Sequence, residues 1–206
     1  MTAEAIDKRF ARLTELGTAT VYEAQGQRGA VHSAIKPLDP GFRLVGRALT
    51  VDCQPADNLA LHLALLQAKP GDVVVVDAKG FTEAGPWGDI MTLAAQTAGV
   101  KGLIIDGSVR DADTIVSMGF PAFSRGVCIR GTGKASKGKI NVPIMCGGVQ
   151  VNPGDIVLGD RDGVVVIPAA ELDESIRLSE LREAKEADQR IAIRSGKTTA
   201  QLLGLV

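Results

Sequence analysis

The chain has 206 residues, 45% of them hydrophobic, and a net charge of −1. That allows a sizeable core in one large domain and argues against nucleic-acid binding through a bulk positive field. Aromatic residues are only 3%, so the core must be Val, Ile, Leu and Ala; no apolar run approaches the length of a membrane span and the N-terminus has no hydrophobic leader, which reads as a soluble, cytoplasmic protein.

Residues 4–16 and 18–26 read as two helices, the second capped by Thr18 or Thr20 and ended at Gln25-Gly26. An extended region follows from Ile35 through Leu44–Asp52, with the alternation of a strand. Residues 58–68 predict a helix stopped by Lys69-Pro70-Gly71. Residues 72–77 form a short apolar run bounded by acids, as in a strand buried on both faces. A helix over 90–98, a strand over 102–105 and a helix over 111–118 come next. Short strands are predicted at 122–123, 127–130, 140–142, 149–151, 155–159 and 163–168. Residues 169–194 read as one long charged helix whose apolar stripe (Leu172, Ile176, Leu181, Ala184, Ala187) is thin, as on a helix that packs along a domain or on a partner subunit. Alternating strands and helices in the middle, then many strands, fit a doubly wound Rossmann sheet poorly, and there is no GxGxxG after the first strand. The order fits an α/β fold in layers, with N-terminal helices and a long C-terminal helix.

The most informative stretch runs from Gly85-Pro86-Trp87-Gly88-Asp89 to Gly107-Ser108-Val109-Arg110-Asp111. Asp89 and Asp111 are acids in Gly-rich turns, and the twenty residues between Asp89 and Arg110 read as one helix and one returning strand. Such a unit brings its two ends to one edge of a sheet. Two carboxylates, a guanidinium and unpaired helix-start N–H groups then share one spot. That set suits an anionic, oxygen-rich substrate together with a hard divalent cation. Taken alone, Asp111 reads equally as a capping acid on the next helix, Asp89 as a cap and Arg110 as a surface ion pair.

The combined pattern resembles the RraA-like family, and within it the divalent-metal class II pyruvate aldolases acting on 4-hydroxy-4-methyl-2-oxoglutarate and 4-carboxy-4-hydroxy-2-oxoadipate. The residues that carry the resemblance are Gly88-Asp89-Ile90-Met91 and Asp106-Gly107-Ser108-Val109-Arg110-Asp111, with further similar stretches at 18–25 and 151–164. It covers nearly the whole chain and implies a single domain over 1–206 of the layered β/β/α swivelling-domain type, with 169–206 as a C-terminal helical extension. It further implies that Asp111 is the direct ligand of Mg²⁺ or Mn²⁺ and that Arg110 grips the substrate and stabilises a pyruvate enolate. Gly88, Asp89, Ile90 and Met91 hold the substrate through the backbone, and Asp89 holds a proton-relaying water. The implied reaction is retro-aldol cleavage to pyruvate and a second oxo acid, with oxaloacetate decarboxylation as a side activity. The implied assembly is a homotrimer or dimer of trimers, with an acid such as Glu180, Glu183 or Glu186 reaching a neighbour's site. One departure stands at Thr114, where the family often carries an acid. The family's ribonuclease E activity regulators, which bind rather than catalyse, give the alternative reading.

Other residues carry weaker signals. Arg125 is a candidate for a substrate's second carboxylate, and Trp87 for a pocket wall or the core. Arg130-Gly131-Thr132-Gly133-Lys134 looks like a phosphate loop but lacks the Walker spacing and a following helix, and reads as a flexible hairpin. Asp106-Gly107 reads as a tight turn. His32 and His62 have no metal spacing and read as structural or surface residues. Cys53, Cys128 and Cys146 read as buried, reduced thiols. No lysine, Lys79 and Lys101 included, has the apolar surroundings of a Schiff-base nucleophile.

Overall fold

A computed structural model describes residues 3–206. Helix α1 (Ala3–Ala24) is continuous in hydrogen bonding but broken at Gly17, whose φ of 77° and ψ of 161° are not helical. The two predicted N-terminal helices are therefore present. The second is capped from far away in sequence: the Asp160 carboxylate accepts from Thr18 N at 2.9 Å and from Thr18 Oγ1 at 2.7 Å.

The remaining elements are β1 (Lys36–Pro37), β2 (Leu44–Asp52), α2 (Leu59–Leu65), β3 (Asp72–Phe81), α3 (Asp89–Thr97), β4 (Gly102–Val109), α4 (Ala112–Ser117) and β5 (Ala122–Val127), followed by β6 (Lys139–Ile140), β7 (Ile144–Cys146), β8 (Val149–Val151), β9 (Ile156–Gly159), β10 (Val164–Ile167), α5 (Leu172–Arg194) and α6 (Thr199–Leu202). The main sheet runs β1-β5-β4-β3-β2-β9-β10. Strands β2 to β5 are parallel, and β1, β9 and β10 are antiparallel to their neighbours.

The apolar runs explain this layering. Val73–Val76 and Leu103–Ile105 are buried on both faces. Val74, Val76, Leu103 and Ile105 pack under the helices against Leu61, Met91, Ala95 and Ile115. Val73, Val75 and Ile104 face the other way, against Ile144, Cys146 and Val151 of the β7–β8 hairpin. A third cluster joins Leu13, Leu16 and Val21 of α1 to Ile156, Leu158, Val165, Ile167 and Leu172. Each fully buried Leu, Ile or Val contributes about 1.5–3 kcal/mol.

The sheet is nearly closed. Ala30 bridges Val165 on one edge strand while Lys36 and Pro37 pair with Ser124 and Phe123 on β5, so residues 30–37 span both edges. Across the interior, a Cβ on Gly159 of β9 would lie 2.8 Å from the Phe123 ring of β5. No side chain larger than glycine's fits there without a shift.

Several boundaries differ from the sequence reading. Strand β4 extends through Val109, so Asp106-Gly107 is strand rather than turn, and Arg110 follows the strand directly. A Cβ on Gly107 would sit 2.9 Å from Ala78 Cβ, which explains the glycine by close strand approach. One strand covers 122–127, residues 128–130 are irregular, and β7 and α6 were not anticipated. Helix α5 starts after a short 3₁₀ turn at Ala169–Glu171, and its first half packs on α1 of the same chain, not on a partner alone. Ser175 and Ser179 are buried there, and Arg12 pairs with Glu180 and Glu183. No helix among the described residues is long and apolar enough to cross a membrane.

Because β2, β3 and β4 are parallel, their C-terminal ends lie on one edge. The segments that leave those ends carry Asn58, Gly85–Asp89 and Arg110-Asp111. In open α/β sheets this edge is where ligands bind.

Candidate active site

The loop between β3 and α3 is fixed by one aromatic anchor. Trp87 is fully buried, stacked on Phe120 with ring centroids 6.1 Å apart and planes 9° apart. Its Nε1 donates to Thr92 Oγ1 at 2.8 Å, and Thr92 Oγ1 donates to Gly88 O at 3.0 Å. Arg110 N donates to Trp87 O at 2.9 Å, which ties the loop to the end of β4. Trp87 thus fills the core and walls nothing directly. Its role is to hold Gly88 at the first turn of α3, where backbone N–H groups have no helical partner.

Gly88 is required by space rather than by its backbone angles. A Cβ there would press on Asp111 Oδ2 and lie 3.1 Å from Arg110 Nε. Asp89 N donates to Asp111 Oδ2 at 3.3 Å, and Ile90 N donates to Asp89 Oδ1 at 2.7 Å. Asp111 adopts a left-handed backbone, φ 54° and ψ 37°, and its carboxylate makes no capping bond to α4. Aspartate tolerates this region better than most non-glycine residues. Arg110 Nε lies 3.3 Å from Asp111 Oδ2, and both side chains are part-exposed, at 47% and 37%.

A cavity of about 320 Å³ opens over this corner. Gly88, Asp89, Ile90, Met91 and Arg110 all line it. Asp111 does not line it; it adjoins the wall through Asp89 and Arg110. The rest of the lining forms two walls, Asn58 and His62 at α2 on one and Gly131, Thr132 and Lys134 on the other. His62 is a surface residue, as read from the sequence, and lines the cavity. The 130–134 segment is no free hairpin: Asp57 and Gly133 form a bridge, with Asn58 N donating to Gly133 O at 3.1 Å and Gly133 N to Ala56 O at 2.8 Å. Its glycine-rich composition was a real signal of wall-building backbone, assigned to the wrong role.

Asn58 was missed altogether. Its Nδ2 donates to Pro86 O at 3.0 Å, while Oδ1 is buried with no partner among the described residues. A buried acceptor left unpaired costs free energy until a donor arrives. The sequence signal was a polar Asp57-Asn58 pair opening a predicted helix.

A divalent cation fits the donor set at this corner. The two contacts to Asp111 Oδ2 are long, so its carboxylate is not consumed by capping or by a tight ion pair. Among the described residues no group of three or more His, Cys, Asp or Glu gathers as for zinc. Mg²⁺ instead takes one or two carboxylates and keeps water or substrate oxygens elsewhere.

The other candidates lie outside the cavity. Arg125 forms an ion pair with Asp106, and its Nη1 approaches His32 Nδ1 at 3.3 Å. It does not face the cavity, because Asp106 and Arg125 project to the hairpin side of the sheet. Lys79 Nζ sits 2.6 Å from both Asp52 and Asp77. Burial lowers its pKa, but the two carboxylates outweigh this and hold it above the ordinary value, unlike an amine nucleophile. Cys53 and Cys146 are buried, and burial raises both thiols, Cys53 to about 12. Cys128 is only part-buried. Glu186 pairs with Arg182 and Arg190. Thr114 is exposed on α4.

The Aldolase/RraA family model matches residues 15–166. A protein of Halalkalibacterium halodurans, provisionally named 4-hydroxy-4-methyl-2-oxoglutarate aldolase, is 41% identical over 161 residues, covering 78% of this chain and 77% of its own. A crystal structure of a Pseudomonas syringae protein superposes with a TM-score of 0.85 at 33% identity, over 97% of this chain and 94% of that one. Streptomyces coelicolor RraAS2, described as an unusual member of the RNase ES inhibitor RraA family, gives 0.79 at 29% identity over 90% and 98%. With its layered, nearly closed sheet, its long C-terminal helix and the Gly88-Asp89 and Arg110-Asp111 pairs at one sheet edge, this chain belongs to the RraA-like family.

Proposed function

We propose that the protein is a divalent-metal-dependent class II aldolase. It cleaves a 4-hydroxy-2-oxo di- or tricarboxylate to pyruvate and a second oxo acid, with oxaloacetate decarboxylation as a side activity. The observation that carries this reading is the meeting of Arg110, Asp111 and the start of α3 at one cavity. The name of the 41%-identical relative supports the substrate class.

Asp111 holds the cation, with Asp89 nearby. Bound there, Mg²⁺ or Mn²⁺ supplies Lewis acidity toward the substrate's 2-oxo group. The N–H groups of the 88–91 turn receive the C1 carboxylate, as helix starts receive anions. A water in the cavity takes the C4 hydroxyl proton as the C4 carbonyl forms. The C3–C4 bond breaks, and its electron pair becomes the enolate of pyruvate. Arg110 stabilises the enolate oxygen, where charge develops. Asp89 holds the water that protonates C3. In oxaloacetate the same bond pair is released by loss of CO₂, and the same residues serve.

The assembly follows from the same reading: a homotrimer or a pair of trimers in the cytoplasm, with a second copy against the cavity mouth. Ile90 at 71% exposure, Leu93 at 56% and Ile129 at 92% leave apolar surface around that corner. Glu180 and Glu183 pair with Arg12, and Glu186 with Arg182 and Arg190, so an acid of this helix reaches a neighbour's site only by leaving such a partner. The likeness to RraAS2 supports a second reading, a non-catalytic binding protein. The intact acid and arginine pairs favour the enzyme. Pyruvate release from oxaloacetate, with Mg²⁺ and with chelator, separates the two: metal-dependent release supports the aldolase, and none in either condition supports the binding protein.

A further inference from the structure

The two walls of the cavity belong to chain segments far apart in sequence, and one buried carboxylate joins them. Asp57 is 7% exposed. Its Oδ1 accepts from Leu59 N at 3.0 Å, at the start of α2. Its Oδ2 accepts from Ala135 N at 2.7 Å, in the strap that follows β5. Two backbone bonds flank the carboxylate, Asn58 N to Gly133 O and Gly133 N to Ala56 O. Ala56 takes a left-handed φ of 55° to allow this turn. The strap from 128 to 138 has no helix or extended strand of its own; Cys128 N to Val109 O and Gly85 N to Arg130 O hold its start, and the bonds to residues 56–58 hold 133–135.

We propose that Asp57 is a positioning residue that clamps the 131–135 strap to α2 and so sets the distance between Asn58 and His62 on one wall and Thr132 and Lys134 on the other. Asp57 does not line the cavity and touches no group assigned to the reaction. It acts through the walls. The consequence for turnover rests on the aldolase reading; the consequence for the strap does not. A carboxylate is needed because both oxygens accept from N–H groups. An asparagine keeps one acceptor and turns an NH₂ toward the other donor.

The test is Asp57→Asn, read in two ways on the full chain. Trypsin reads the strap, which carries Lys134 and Lys137. Losing a charge-assisted bond raises the open population by about tenfold or more, and cleavage follows that population. Cleavage after Lys134 or Lys137 is expected to speed by that factor, while cleavage within α5 keeps its wild-type rate. In kinetics on oxaloacetate with Mg²⁺, KM is expected to rise about tenfold with kcat within about threefold, because Arg110 and Asp111 stay in place. In a Lys134→Ala background the further effect of Asp57→Asn on KM shrinks below about twofold, because the wall it positions no longer carries its charge. If Asp57→Asn does not fold, Ala135→Pro removes the strap's donor from the other side; a Lys–Pro bond resists trypsin, so cleavage after Lys137 is the readout there, with the same expectations for it and for KM. A strap as protected as wild type in the folded variant overturns the clamp whether or not the chain is an aldolase. Faster strap cleavage with unchanged KM, or a KM effect that persists in full without Lys134, overturns the positioning role.

Discussion

Replacing Gly88 by alanine tests the site at its tightest point. The backbone at Gly88 is extended, with φ of −142°, so an alanine costs no conformational strain there. The cost lies in space. The new Cβ falls on Asp111 Oδ2, far inside the 3.0 Å that real Cβ atoms keep, and lies 3.1 Å from Arg110 Nε and 3.2 Å from its Cγ. Both neighbours are part-exposed side chains and yield more readily than backbone. To reach ordinary contact at about 3.5 Å, the Asp111 carboxylate must retreat by roughly 1 Å. A misplacement of that size at a reacting centre costs about 100-fold, or about 2.7 kcal/mol of activation free energy. Stability should fall by only about 1 kcal/mol, the low end for overpacking. Gly85→Ala is the contrast: its Cβ would meet the Cys128 backbone oxygen at 2.5 Å, so it should damage the fold itself. The assay is pyruvate release at saturating Mg²⁺, with thermal melting alongside. A Gly88→Ala enzyme within about threefold of wild type in kcat/KM would refute the placing of Asp111 at the reaction.

Asp111→Ala should abolish Mg²⁺-stimulated pyruvate release, and isothermal titration with Mn²⁺ should lose its heat; a variant that keeps both removes Asp111 as ligand. Arg110→Lys should lose most of kcat as well as raise KM, because a point charge does not replace a planar fork; a near-normal kcat would assign Arg110 to plain ion pairing. Asp57 carries a pH prediction. Burial pushes its carboxyl up, but N–H donors from Ala135, Leu59 and Ser136 and the nearby Lys134 charge outweigh it and leave the pKa below the usual value. Its stabilisation is therefore complete above about pH 4, the unfolded value, and is lost as pH falls through the folded one. Urea midpoints of wild type and Asp57→Asn should differ at pH 7 and converge in acid; a gap constant with pH contradicts this. Light scattering should give three copies or a multiple of three, and an active monomer would rule out both the ring and the shared site.

Much of this architecture was legible because periodicity and apolar runs are local signals. Val73–Val76 announced a strand buried on both faces, and the helix-and-strand spacing between Asp89 and Arg110 announced one shared edge. What the sequence concealed depended on distant partners. Asp106 read as a turn because Gly107 follows it, yet that glycine answers Ala78 on the next strand. Arg125 looked free until Asp106 was placed beside it. The second cavity wall was invisible because Asp57, Asn58 and Lys134 meet only through a bridge between residues 57 and 133. The thin stripe on α5 left open a partner subunit or the outside of the domain, and α1 of the same chain covers its first half.

The central claim is that Asp111 and Arg110 form the metal and enolate ends of one pyruvate-forming site. The most direct measurement is the rate of pyruvate release from oxaloacetate by the purified full-length protein, above the uncatalysed background, with Mg²⁺ and then with excess chelator. The account predicts turnover with Mg²⁺, its loss with chelator, and no rescue by Mg²⁺ in Asp111→Ala. Equal turnover in chelator, or full activity in Asp111→Ala, would contradict it.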